Sequence, residues 1–112
     1  MPNTILIIED DIFLGNVLLQ KLKDSGYTTL LSRDDDDGLK KMREQHPDLV
    51  LLDVIGPKMN GYKVLEAKQG DSTISSIPVI VISNSGEPAE INRALTLGAK
   101  DYLVKATLNP EE

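Results

Sequence analysis

The chain has 112 residues, 40% of them hydrophobic and 27% charged, which is one domain's length of ordinary globular composition. Eighteen acidic residues against twelve basic ones leave a formal charge of −6, which argues against direct binding to nucleic acid or an anionic membrane, since both favour clustered Lys and Arg. Cysteine is absent, which excludes disulfides, thiolate zinc sites and a cysteine nucleophile, and no apolar run exceeds four residues, so neither a membrane-spanning helix nor a signal-peptide core is expected. A single cytoplasmic domain over 1–112 is the expectation.

In chain order, an apolar run over 4–8 predicts a strand and is followed at once by Glu9-Asp10-Asp11. A helix over 12–25 stops at Gly26, and a weaker strand covers 27–32. A second helix over 36–45 is ended by Pro47. The strand over 49–52 runs into Asp53, and a helix over 62–69 stops at Gly70. The strand over 79–82 leads to Ser83-Asn84, a fourth helix has Pro88 in its first turn and Gly98 past its end, and the strand over 102–104 precedes Lys105. Continuous apolar runs, unlike alternating ones, mark strands covered on both faces. Their alternation with helices predicts an α/β fold with a parallel sheet and right-handed crossovers. On the first helix, Phe13, Leu14, Val17, Leu18 and Leu22, extended by Ile12 and Leu19, make an apolar arc too wide for the sheet alone. That arc predicts a second contact, with a neighbouring helix.

Ligands of such sheets sit at the carboxyl ends of the strands, near a topological switch point. Glu9, Asp10 and Asp53 fall there, with Ser83 and Lys105 at the ends of the next strands. Converging carboxylates repel unless a cation neutralises them, and a hard divalent ion such as Mg²⁺ is the usual partner. An Asp beside such an ion can act as nucleophile in phosphoryl transfer, with a lysine and a hydroxyl stabilising the moving phosphoryl oxygens. Taken singly, each residue also has a structural use: the acidic triplet as a helix cap, Asp53 as a turn residue, Lys105 as a solvated lysine, Tyr102 as a half-buried strand aromatic. Their joint appearance at successive strand ends favours the chemical reading.

Three other features are read as structural. Asp34-Asp35-Asp36-Asp37-Gly38 superficially suggests a calcium loop, but Arg33 falls on the first ligand position, so a solvated helix start is expected. His46, the lone histidine, precedes Pro47 and is expected at the surface. No glycine pattern of the dinucleotide-binding kind is present, and the triplet after the first strand would repel a pyrophosphate.

Residues 5–11, 49–53 with Pro57 and Gly61, 77–83 and 98–105 together resemble the receiver domain of response regulators, the CheY-like phosphoacceptor module of two-component signalling. The likeness covers 4–106. It implies a flavodoxin-like five-stranded sheet in the order 2-1-3-4-5, for which CheY is itself a standard example. It also implies that Asp53 accepts a phosphoryl group from a sensor histidine kinase or phosphotransfer protein. Glu9, Asp10, Asp53 and the backbone carbonyl of Ile55 would hold Mg²⁺, Lys105 would pair with the phosphoryl group, and Ser83 would bond to it as Tyr102 switches. The resemblance implies a signalling domain that promotes its own phosphorylation, not an enzyme. The alternatives are a degenerate receiver that only binds proteins and, less favoured, a small Mg²⁺-dependent phosphohydrolase.

The sequence departs from the family at four places. Gly56 replaces the usual methionine, and Asn84 stands where a smaller residue is common. Ala106 replaces the proline after Lys105, so a trans Lys105–Ala106 bond is expected, because a cis bond there costs about 2.5–4 kcal/mol. With apolar Ile55 beside the site, slow dephosphorylation is expected. Finally, Asn109-Pro110-Glu111-Glu112 reads as the start of a fifth helix. The expectation is therefore a receiver whose fifth helix is truncated, its uncovered face closed by a second copy or another partner.

Overall fold

The computed structural model of the chain describes residues 3–53, 55–56, 59–83 and 87–104. Its elements are β1 (Thr4–Ile8), α1 (Ile12–Asp24), β2 (Thr28–Ser32), α2 (Asp35–Gln45), β3 (Leu49–Asp53), β4 (Ile55–Gly56), β5 (Met59–Asn60), α3 (Gly61–Gln69), β6 (Val79–Ser83), α4 (Pro88–Thr96) and β7 (Asp101–Val104). The five long strands form one parallel sheet in the order β2-β1-β3-β6-β7. Counted within that sheet the order is 2-1-3-4-5, the flavodoxin-like arrangement expected. The antiparallel pair β4–β5, with Ile55 opposite Asn60, was not foreseen. Two-residue strands carry no apolar run long enough to signal themselves.

Strand register sorts the side chains between two faces. Leu6 stands beside Val50, Ile8 beside Leu52, and Val50 and Leu52 beside Val79 and Val81. These six side chains are all fully buried, and they carry Met42 of α2, Tyr62, Val64 and Leu65 of α3 and Ala94 of α4 on the same face. Ile5 and Ile7 point the other way, where α1 lies against β1 and β2. β1 is covered on both faces, whereas on the Ile7 side of β3 and β6 Leu51 and Ile80 are only half-buried among the described residues.

Two glycines let helices settle on the first strands from opposite sides. A Cβ on Gly38 of α2 would lie 2.5 Å from Cδ1 and 2.9 Å from Cγ1 of Ile8. A Cβ on Gly15 of α1 would lie 3.3 Å from Leu31 and 3.8 Å from the Glu9 Cγ. Gly15 therefore marks the line along which α1 meets the sheet. At about 100° per residue, Phe13 lies some 200° round from that line. It is 79% exposed, and Ile12 is 63% exposed, whereas Leu14, Leu18, Leu19 and Leu22 are half-buried. Among the described residues, the first turn of the predicted apolar arc thus faces outward.

The helix signals are met by recognisable caps. The Asp34 carboxylate accepts from the Asp37 N–H at 2.8 Å, with Asp35, Asp36 and Asp37 in the first turn complementing the helix dipole. The aspartate run is a helix start, as expected. His46 ends α2 in the left-handed region at φ 45° and is exposed, while Gly26 and Gly98 close α1 and α4 at φ 94° and 102°. The connection from α3 to β6 hides what its loop-like sequence does not announce. Ile74 and Ile77 are buried there, and the buried Lys68 ammonium donates to the Ser75 carbonyl at 2.8 Å. Burial pushes that ammonium below its ordinary pKa. Four helices are present among the described residues, and none is long and apolar enough to cross a membrane. The Lys105–Ala106 bond, Asn84, and the helix start at 109–112 lie outside the described residues.

Two predictions follow the packing. Replacing a solvent-facing helical glycine by alanine ordinarily stabilises by up to about 1 kcal/mol. Gly38→Ala is instead expected to destabilise by about 1 kcal/mol, because overpacking against fully buried Ile8 outweighs the propensity gain. Gly70→Ala, whose Cβ would meet nothing closer than 3.7 Å, serves as the tolerated control in urea unfolding. Asp71 accepts from the Thr73 hydroxyl at 2.6 Å, the Thr73 N–H at 3.0 Å and Arg43 Nε at 3.0 Å. These bonds, the Thr73 hydroxyl first, hold its carboxyl down at about 2, against about 3.9 in an unfolded chain. A depressed folded-state pKa contributes stability that is complete above the unfolded value and lost as pH falls towards 2. The stability gap between wild type and Asp71→Asn should be constant from pH 5 to 7 and close on acidification, and a gap independent of pH would refute the assignment.

Candidate functional site

The sheet itself creates the site. After β1 the chain turns to α1 on one face, and after β3 it leads to α3 on the other, so the loops beyond these adjacent strands part and leave a crevice. The register pairs Ile8 with Leu52, which sets Glu9 and Asp53, each one residue further on, at the same level. The Glu9 N–H donates to the Ser32 carbonyl at 2.9 Å, fixing the backbone just past β1. Glu9 and Asp53 are 2% and 3% exposed, and Asp10 is half-buried. One carboxylate oxygen from each of the three lies within 4.8 Å of the others.

The acidic triplet divides its labour. The Asp11 carboxylate accepts from the Leu14 N–H at 3.0 Å and caps α1, and its carbonyl accepts from the Gly15 N–H at 2.9 Å. Asp11 therefore takes the structural role that was the alternative for the whole triplet, leaving Glu9 and Asp10 to face Asp53. Ser83, fully buried, ends β6 one residue beyond the Ile82 that pairs with Asp53, so its hydroxyl belongs to the same edge of the sheet. Tyr102 on β7 is half-buried, pairs with Val81 and packs against the core. Ile55 begins β4, just beyond Asp53. Lys105 lies outside the described residues.

Three oxygen donors this close, two of them nearly buried, suit a hard cation that prefers oxygen and tolerates an incomplete protein shell, which is the chemistry of Mg²⁺ and Mn²⁺. Without a positive charge, the same arrangement is repulsive. Sequence reasoning missed one polar cluster nearby, in which Tyr62 of α3 is held by Glu90 and Arg93 of α4. Its only signal in the sequence is an aromatic at a helix start.

Comparison with known proteins agrees with this geometry. The family model described as response regulator receiver domain matches residues 5–112. The chain is 35% identical to a probable transcriptional regulator, ycf27, of Cyanophora paradoxa over 96% of this chain and 44% of that protein. It is 33% identical to the DNA-binding response regulator MtrA of Mycobacterium tuberculosis over 94% of this chain and 45% of that protein. The chain thus spans less than half the length of these curated relatives. Among solved structures, the chemotaxis protein CheY4 of Vibrio cholerae superposes with a TM-score of 0.91 at 25% identity, covering 99% of this chain and 92% of that one. The Mn²⁺-bound form of the response regulator Rcp1 superposes with a TM-score of 0.83 at 26% identity, covering 96% and 84%.

The crowding of three carboxylates has a measurable consequence. In a chelating buffer at pH 7, Asp53→Asn is expected to raise stability by on the order of 1 kcal/mol, since one of three mutually repelling charges is gone. Urea unfolding with and without EDTA reads this directly. A stability that falls in the chelated variant would show that the cluster is not under repulsion.

Proposed function

The chain belongs to the response-regulator receiver family, and on that premise we propose that it is a phosphoacceptor in two-component signalling, with Asp53 as the acceptor. The observation that carries this reading is the convergence of Glu9, Asp10 and Asp53 within 4.8 Å at the crevice of the sheet. An Asp53 carboxylate oxygen attacks the phosphorus of a phosphohistidine on a sensor kinase or phosphotransfer protein. A P–O bond to Asp53 forms as the donor's P–N bond breaks, and the imidazole leaves with the bonding pair. Glu9, Asp10, Asp53 and the Ile55 carbonyl would hold Mg²⁺, which would supply positive charge against the three carboxylates and the phosphoryl oxygens. Lys105 pairs with one of those oxygens, and the Ser83 hydroxyl donates to another. A site that sets one nucleophile, Asp53, beside two metal-ligating carboxylates suits a domain that is itself modified.

The switch follows from the same groups. When Ser83 moves towards the phosphoryl group, it leaves space beside β7 into which the half-buried Tyr102 ring turns. A local gain of charge then biases a two-state element. Partners are the phosphodonor and whatever reads the altered surface. The net charge of −6 argues that any contact with DNA by a protein of this kind is made by another domain.

Incubation with acetyl phosphate and Mg²⁺ should add about 80 Da, one phosphoryl group, to the intact mass. The gain should vanish in Asp53→Asn and in the presence of EDTA. No gain in the wild type would leave a domain that only binds proteins, and sustained release of phosphate from small substrates would mark a hydrolase.

A further inference from the structure

Tyr62, Glu90 and Arg93 form a cluster for which the carboxylate site has no use. Tyr62 is the second residue of α3 and is 5% exposed. Its phenol O–H donates to the Glu90 carboxylate, and the Arg93 guanidinium lies 4.0 Å from the ring centroid, within cation–π range. Glu90 and Arg93 are three residues apart on α4 and so share a face. One ring is gripped at its edge by an anion and over its face by a cation. Burial, then the Glu90 carboxylate, push the phenol far above its ordinary pKa, so it stays a donor across the whole neutral range.

Two features make this cluster more than a packing detail. First, α4 has little else to hold it: Ala94 is the one fully buried side chain among its nine residues, and Leu95 is 44% exposed. An element with so few buried contacts belongs to the easily displaced part of a fold. Second, both halves of the cluster lie directly downstream of the site. Tyr62 comes nine residues after Asp53 (62 − 53), beyond the β4–β5 ribbon, and Glu90 comes seven after Ser83 (90 − 83). The Tyr102 phenol is close enough to Tyr62 to add to the rise of its pKa. Asp53 and Ser83 are thus each followed closely in the chain by one side of the same hydrogen bond. Such a bond weakens steeply once donor and acceptor separate beyond about 3.2 Å or lose alignment.

We propose that the Tyr62–Glu90–Arg93 cluster is a latch that holds α4 against α3 in the resting form and is broken when a phosphoryl group occupies Asp53. The proposal rests on the phosphoacceptor reading. A contact made in only one of two states shifts their balance by its own free energy, so removing the latch must favour the phosphoryl-bound form. A contact made equally in both states would lower stability and shift nothing.

The test is titration of the chain with beryllium trifluoride, a phosphoryl mimic, in the presence of Mg²⁺, followed by amide chemical shifts. Tyr62→Phe, which keeps the ring under Arg93, should bind on the order of fivefold more tightly than wild type, a factor of ordinary allosteric size. Glu90→Ala, at a half-buried helical position, should shift affinity the same way and serves if the tyrosine variant folds poorly. Equal or weaker affinity in both variants overturns the latch and leaves the acceptor reading intact. Failure of the wild type to take up beryllium trifluoride overturns both.

Discussion

The lateral register of β1 and β3 is the constraint on which the rest of the molecule turns. With Ile8 beside Leu52, the next residues on each strand are Glu9 and Asp53, so two carboxylates arrive at one level without any loop having to bring them there. Their side chains are 2% and 3% exposed, a placement that isolated anions resist strongly. The apolar ladders beneath them oppose that resistance: Leu6, Ile7, Ile8, Val50 and Leu52 are fully buried, and shifting one strand by a residue would exchange its own side chains between the two faces. The core thus fixes the register and the register fixes the charges. A site built this way gains from any ligand that supplies positive charge between its carboxylates.

Helix placement is tied to the same strand. Gly38 brings α2 onto Ile8 from one face, and Gly15 brings α1 over Leu31 and the Glu9 stem from the other. Glu9 is therefore walled by a helix packed so closely that even a Cβ at residue 15 would press on Leu31 at 3.3 Å. Asp11 sets the start of that helix by capping it, so neighbouring residues of one triplet serve chemistry and architecture separately. Caps and acid sites favour the same residue type for different reasons. A cap needs an oxygen near free backbone N–H groups, whereas a metal site needs oxygens near one another.

Much of the fold was legible because the parallel strands announce themselves. The runs over 4–8, 49–52 and 79–82 are fully buried on one face and at least half-buried on the other, and the helix ends at Gly26 and Gly98 take the positive φ that glycine accepts. What escaped notice depends on pairing across the chain. Ile74 is fully buried inside a segment rich in turns, and Lys68 is buried because a carbonyl seven residues on accepts its ammonium. Arg43 and Asp71, or Tyr62 and Glu90, are each 28 residues apart, and no local pattern links them. The half of α1 that meets the sheet could not be chosen from its arc, since Leu14, Val17 and Phe13 look equally apolar until Gly15 shows which line is closest. For the acidic site, chain order was enough to collect Glu9, Asp10 and Asp53, because strand ends in such a sheet converge by topology.

The acidity that first set the chain apart resolves into local uses. Glu9, Asp10 and Asp53 crowd the crevice, Asp34 through Asp37 serve the start of α2, Asp71 fastens the loop after α3 to Arg43, and Glu90 holds Tyr62. Most of these groups answer one donor or dipole apiece, whereas in the crevice triad three carboxylates also crowd within 4.8 Å of one another. Charges with such partners are satisfied by the fold and are indifferent to what arrives from solution. Among the described residues, the triad is where a cation from solution would meet the most carboxylate oxygens at once. In a chain of net charge −6, the place where a cation and a phosphoryl group would change the energy most is consequently the one where repulsion is concentrated, not the one where acidic residues are most numerous.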